Sequence, residues 1–332
     1  MTLDTTLPER MHDSDGNIRQ VGIELEFAGL ELGQICRLIV DLYGGRHIPT
    51  PRFAHRVEGT PWGTFVVAID TAVLKDQDYL KVLEPLGLDL PSLQRVEDLL
   101  GRIAGTLVPH EIACPPVPFD RIDRIERLRE SLQQHHALGT RAALRYAFGL
   151  HFNPQTPATD VDTLLAYLRA FLVLVDQLKI DGEVDLSRRI TPFINDFPQS
   201  YIRKVLARDY RPEIGQLIDD YLSANPTRNR PLDMLPLFAH IDYDRVRAGL
   251  EHELGLVKPR PTFHYRLPNC LIDDPNWSIG QEWRGWVLVE NLAARPAAID
   301  QLSQAYLQYR HWLTLGADEH WAQYTRDWLA SL

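Results

Sequence analysis

The sequence predicts an α+β fold, with helices packed on one face of a mostly antiparallel sheet, on three observations. Short stretches of alternating apolar and polar residues recur along the chain, which is the period of half-buried strands. The segments between them carry a helical period but differ widely in length, unlike the regular β–α–β units of a parallel sheet. No self-similarity at a period of about 20 to 50 residues runs through the chain, which excludes a repeat architecture.

The first strand is Val21-Gly22-Ile23-Glu24-Leu25-Glu26-Phe27. Val21, Ile23, Leu25 and Phe27 point to a core, and Glu24 and Glu26 share the opposite face about 7 Å apart. Leu32 to Tyr43 follows as a helix, stopped by Gly44-Gly45. His55 to Glu58 and Thr64 to Ile69 read as a hairpin, and Ser92 to Ile103 as a helix. A strand from Thr106 to Ala113 is halted by Pro115-Pro116. Asp120 to His136 reads as a helix, with His135-His136 placed to satisfy its terminal carbonyls.

Arg145 to Asn153 reads as a strand ended by Pro154. Asp160 to Leu178 is the best amphipathic helix, with Leu164, Leu168, Phe171, Val175 and Leu178 on one stripe. From Arg188 to Asp242 many prolines loosen the pattern into short helices. Thr262 to Leu267 is a late strand, and helices fill the chain from Ile279 onward. Trp277, Trp283 and Trp286 are expected to pack in the core or at its rim rather than to stack on a substrate. Residues 1–17 are expected to be a flexible tail, and 18–332 a single domain with a helical C-terminal part.

Charge and composition narrow the partners. The formal net charge of −10, without any Lys/Arg-rich run, argues against nucleic acid as a general partner, though a cationic pocket for a nucleotide remains compatible. Cys36, Cys114 and Cys270 fit neither a disulfide framework nor a zinc-knuckle spacing, so a reducing compartment is expected. No basic start followed by an apolar stretch opens the chain. The most apolar segment, Leu164 to Val175, falls short of the roughly 20 residues a membrane span needs. A soluble, cytoplasmic protein without a membrane partner is expected.

Several strands carry matching chemistry. Glu111 lies in Val108-Pro109-His110-Glu111-Ile112-Ala113-Cys114-Pro115-Pro116. His151 and Asn153 share a face of Gly149-Leu150-His151-Phe152-Asn153-Pro154, and His264 and Arg266 share one in Thr262-Phe263-His264-Tyr265-Arg266-Leu267-Pro268. Asp70 follows the apolar run Phe65 to Ile69. Taken singly, each is an ordinary surface carboxylate, structural histidine or salt-bridge arginine. Together they put ionisable groups on four strands of one expected sheet, and carboxylates that repel each other imply a cation between them.

In this order the motifs resemble the amidoligase family, a branch of the glutamine synthetase and glutamate–cysteine ligase superfamily. The resemblance rests on Gly22 to Phe27, Glu111 to Pro116, Gly149 to Asn153 and Tyr265 to Pro268, and it spans roughly Val21 to Leu292. It implies a glutamine synthetase-like catalytic domain whose curved sheet surrounds ATP and divalent metal ions, normally Mg²⁺. It implies that ATP phosphorylates a carboxylate to an acyl phosphate, which an amine then displaces to form an amide. Glutamate or a glutamyl peptide would be the carboxylate, and an amino acid or polyamine the amine. Carried over by position, Glu26 and Glu111 would bind the metal near the substrate carboxylate, while Glu24 and His151 would bind the metal on the ATP phosphates. Arg266 would offset charge on the transferring phosphoryl group. Arg188, Arg189 and Arg203 lie where relatives place phosphate- or substrate-binding arginines.

Three departures stand out. The family's His-x-His is His151-Phe152-Asn153 here, a common Glu-x-Arg is His264-Tyr265-Arg266, and a common Asp-x-Ser is Asp70-Thr71-Ala72. Histidine removes a negative charge and suits softer ions than Mg²⁺, so with His264 as a metal ligand the three departures together permit a preference shifted toward Mn²⁺, or a weakened activity. Two other readings of the same residues are a metal-dependent hydrolase that uses Glu24, Glu26 and Glu111 without a nucleotide, and a non-catalytic binding relative.

Overall fold

The computed structural model describes residues 6–50, 54–69, 109–140, 148–184, 194–250, 254–309 and 316–331. The chain opens with β1 (Gln20–Phe27) and α1 (Leu32–Tyr43), then β2 (Arg46–Pro49), β3 (Ala54–Thr60) and β4 (Gly63–Ile69). After β5 (His110–Ala113) and the short β6 (Val117–Pro118) come α2 (Asp123–Gln134), β7 (Leu150–Pro154) and α3 (Val161–Asp181). A helical stretch holds α4 (Gln199–Leu206), α5 (Ile214–Ala224), β8 (Leu232–Asp233), α6 (Leu235–Ile241) and α7 (Tyr243–Gly249). Strand β9 (His264–Tyr265) precedes α8 (Ile279–Ala293), α9 (Pro296–Tyr309) and α10 (Ala317–Ala330).

The architecture is α+β, with one open sheet in the order β2-β3-β4-β5-β1-β7-β9-β8 and β6 paired to β1. All strand pairings among the described residues are antiparallel. The register sorts side chains into two faces. Leu150, Leu25, Ile112, Val67 and His55 form a cross-strand row on one face. Glu26, Glu111, Ala68 and Ala54 form a row on the other. The first row faces the core: Leu25, Ile112, Val67 and Leu150 are fully buried. Helix α1 covers its β2–β4 end, and Trp283 and Trp286 of α8 pack edge-on or tilted against Phe152, Phe263 and Tyr265. The three tryptophans are core residues, as expected.

Some expectations change. Helix α3 is buried on nearly all sides from Leu164 to Lys179, not half-solvated, because α8, α9 and α10 pack over the side its polar residues would have given to water. Arg169 and Lys179 survive burial by pairing with backbone carbonyls and with Asp196. The late strand is shorter than expected. Only His264–Tyr265 is regular: the flanking Phe263 and Arg266 N–H groups bond to the Pro154 and Pro231 carbonyls, and those prolines have no N–H to return the bond. Strand β2 carries no alternating pattern and is held by its partner β3. His135 does close α2, its ring N–H donating to the Ser131 carbonyl at 2.8 Å. The expected helix Ser92 to Ile103, the start of the strand before His110, the residues before Phe148 and Asp70 lie outside the described residues. No helix among the described residues is long and apolar enough to cross a membrane.

Candidate active site

The face opposite the core concentrates the chain's chemistry. On β1, Glu24 and Glu26 alternate with the buried Ile23, Leu25 and Phe27, so the strand's own period aims both carboxylates away from the core. Register supplies the rest. Glu111 of β5 sits directly opposite Glu26, His151 of β7 opposite Glu24, and Asn153 opposite Gly22. Beyond β7, Tyr265 pairs with Phe152 on the core face, which turns His264 to the carboxylate face, and Asp233 of β8 lies opposite His264.

Glu24 is the hub. Its Oε1 accepts from Asn153 Nδ2 at 2.9 Å and its Oε2 from His151 Nδ1 at 3.2 Å. Arg260 Nη2 lies 3.9 Å from Oε1. Burial alone would raise the Glu24 carboxyl. The His151 hydrogen bond, with the Arg260 guanidinium nearby, outweighs it and holds the group well below the ordinary carboxylate range.

Asn153 wires the cluster together. Its Oδ1 accepts from Arg260 Nη2 at 2.6 Å and lies 2.7 Å from His264 Nδ1. A guanidinium only donates and a carboxylate only accepts, so one amide orientation satisfies both Arg260 and Glu24. His264 Nδ1 must therefore carry its proton. Burial pushes His264 well below the usual histidine range, against the pull of Glu24, so the ring is neutral and its Nε2 keeps a lone pair.

His151 bridges the two glutamates of β1. With Nδ1–H donated to Glu24, its Nε2 sits 3.5 Å from Glu26 Oε1. In a neutral ring that nitrogen would present a lone pair to a carboxylate oxygen, an arrangement that calls for a proton or a cation between them. Glu26 Oε2 is fixed by the Gly149 backbone N–H at 2.6 Å. Glu24, His151 and His264 each offer one ligand atom, all within 4.8 Å of one another. This donor set suits a divalent cation, the two imidazoles favouring an ion softer than Mg²⁺.

Arginines flank the carboxylates. Arg260 reaches Asn153 and is held charged by Glu24 against the cost of its burial. Arg266 donates to the Arg228 carbonyl and the Asn229 side chain. Burial draws Arg266 down, while Asp233, Glu26 and Glu24 support its charge. Asp233 has no exposed surface. Burial raises its carboxyl, which Arg228 counters through a 3.2 Å ion pair.

The structure thus brings Glu24, Glu26, Glu111, His151, His264 and Arg266 to one sheet face. Arg203 lies on the exposed side of α4, a helix packed on α3 and α9 rather than on the sheet. Arg188 and Arg189 lie outside the described residues. Sequence reasoning missed Arg260 and Asp233. The signal for Arg260 was its position in Pro259-Arg260-Pro261, where two prolines stiffen the chain around a cation just before the late strand. Asp233 follows Pro231-Leu232 in a segment with no strand period to mark it.

A family model described as "putative amidoligase enzyme" matches residues 17–288, which runs from just before β1 into α8. No curated protein and no solved structure matches the chain.

Proposed function

The chain belongs to the amidoligase family, and from that premise we propose that it joins a carboxylate to an amine using ATP, on a sheet homologous to those of glutamine synthetase and glutamate–cysteine ligase. The observation that carries this reading is the single sheet face where three glutamates stand beside two imidazoles and two arginines. Carboxylates at that density suit divalent cations, and the arginines suit phosphate oxygens.

In the proposed reaction the γ-phosphoryl group moves from ATP to a carboxylate oxygen and ADP leaves. The amine nitrogen then forms the C–N bond as the acyl C–O bond to phosphate breaks, and the amine's surplus proton leaves to solvent. Glu24, His151 and His264 would hold one divalent ion, and Glu26 with Glu111 a second. Such ions, when bound, would neutralise phosphate charge and, through the phosphoryl or carbonyl oxygen, polarise the phosphorus or carbon under attack. Arg260 and Arg266 would offset the charge that spreads over the phosphoryl oxygens during transfer, as preorganised donors needing little reorganisation. Asn153 and the Gly149 N–H position Glu24 and Glu26.

The test is isotopic. With glutamate or glutamyl-peptide carboxylates labelled with ¹⁸O, and a panel of amino acids and polyamines, turnover is expected to release ADP and to move one ¹⁸O into phosphate. Product formation without ATP, or ADP release with no ¹⁸O in the phosphate, overturns the acyl-phosphate route.

A further inference from the structure

On the other face of the sheet, we propose that Cys36, His47 and His55 form a separate Zn²⁺ site that fastens α1 to the β2–β3 hairpin. Three elements bring these residues together. Cys36 is fully buried on α1, among Ile35 and Ile39. His55 lies in the core-facing row with Val67, Ile112 and Leu25, and His47 lies on the same face, opposite the buried Val57. His47 Nε2 and His55 Nδ1 stand 3.0 Å apart, and one ligand atom from each of the three residues falls within 4.8 Å of the other two.

The chemistry fits zinc. One thiolate and two imidazoles supply three of the four positions of a tetrahedral site, leaving the fourth to water. With Zn–N near 2.0 Å and Zn–S near 2.3 Å, the nitrogen and sulfur ligand atoms of such a site stand about 3.3–3.5 Å apart. The two ring nitrogens, 3.0 Å apart, stand slightly inside that range, and one ligand atom of each residue lies within 4.8 Å of the others, so closing around an ion needs side-chain adjustments on the order of an ångström. Both rings are half-exposed, which gives an ion a path from solvent, while the sulfur is not exposed at all. The residues face away from Glu24, so this site is independent of the ligase reading.

Cobalt tests the proposal without a substrate. Metal-free protein loaded with Co²⁺ is expected to show a sulfur-to-cobalt charge-transfer band and the strong visible bands of tetrahedral cobalt. Cys36→Ser should abolish the sulfur band, and Glu24→Gln should leave it intact. In competition with a coloured chelator, Cys36→Ser should weaken Zn²⁺ binding at least tenfold. His47→Gln serves as a second variant, expected to shift the visible bands while keeping the sulfur band. Absence of a sulfur band in the wild type, or its persistence in Cys36→Ser through Cys114 or Cys270, overturns the site.

Discussion

Asn153 spans Glu24 and Arg260, donating to the carboxylate at 2.9 Å and accepting from the guanidinium at 2.6 Å. The carboxylate and the guanidinium it bridges stand 3.9 Å apart. The same amide fixes the tautomer of His264. Removing it should cost ligand geometry rather than fold. Asn153→Ala is expected to weaken Mn²⁺ binding by roughly 10–100-fold, the usual effect of losing a partner that orients metal ligands. Titration calorimetry checks this, and unchanged affinity would show that Glu24 and His264 need no such support.

His264 puts a second imidazole beside Glu24 and His151, where the sequence resemblance implies a glutamate. His264→Glu should restore a hard, charged donor and move preference from Mn²⁺ toward Mg²⁺. The measurement is the ratio of the two ions' dissociation constants in wild type and variant. A ratio that does not move would place His264 outside the coordination sphere.

Arg19 and Glu290 form an ion pair with no side-chain exposure, Arg19 Nη2 lying 2.7 Å from Glu290 Oε1. Tyr167 and the Trp286 indole N–H donate to the same carboxylate, and Arg19 also reaches the Gln155 carbonyl. This network ties β1 to α3 and α8 behind the sheet. Arg19→Met strands a buried carboxylate and is expected to destabilise the fold by about 3–5 kcal/mol. Urea unfolding measures it, and a loss under about 1 kcal/mol would mean water enters to solvate Glu290.

Asp160 caps α3, accepting from the Thr163 N–H at 2.9 Å and from its hydroxyl at 2.7 Å. Burial tends to raise its carboxyl, but these hydrogen bonds outweigh it and hold the group below its ordinary value of 3.8. The stabilisation is therefore present above pH 3.8 and lost as pH falls through the depressed value. Asp160→Ala should cost about 1 kcal/mol at neutral pH. Asp160→Asn should keep most of the cap and flatten the acid limb of the stability profile. Melting curves from pH 7 down to the acid transition separate the two, and parallel profiles for wild type and Asp160→Asn would contradict the assignment.

Strand β1 was legible because its information is local: the alternation Val21 to Phe27 shows on its own which face Glu24 and Glu26 occupy. His151 and His264 were legible as neighbours only through the order of the motifs, since strand register is a long-range property. Arg260 and Asp233 escaped because neither sits in a strand with a readable period. Helix α3 looked amphipathic because the partners that bury its second side, α8 to α10, begin only at Ile279, far along the chain from Asp181. Cys36, His47 and His55 match no metal-site spacing, and only the packing of α1 on the β2–β3 hairpin brings them together.

The central claim is that the Glu24 face binds a nucleotide through divalent metal. It is tested most directly by calorimetric titration of a non-hydrolysable ATP analogue into wild type and Glu24→Gln, each with Mn²⁺, Mg²⁺ or EDTA. The prediction is binding that requires the metal, is tighter with Mn²⁺ than with Mg²⁺, and weakens at least tenfold in Glu24→Gln, a loss of about 1.4 kcal/mol or more. Metal binding with no nucleotide affinity under any of these conditions would contradict it and turn the same residues toward a metal-dependent hydrolase.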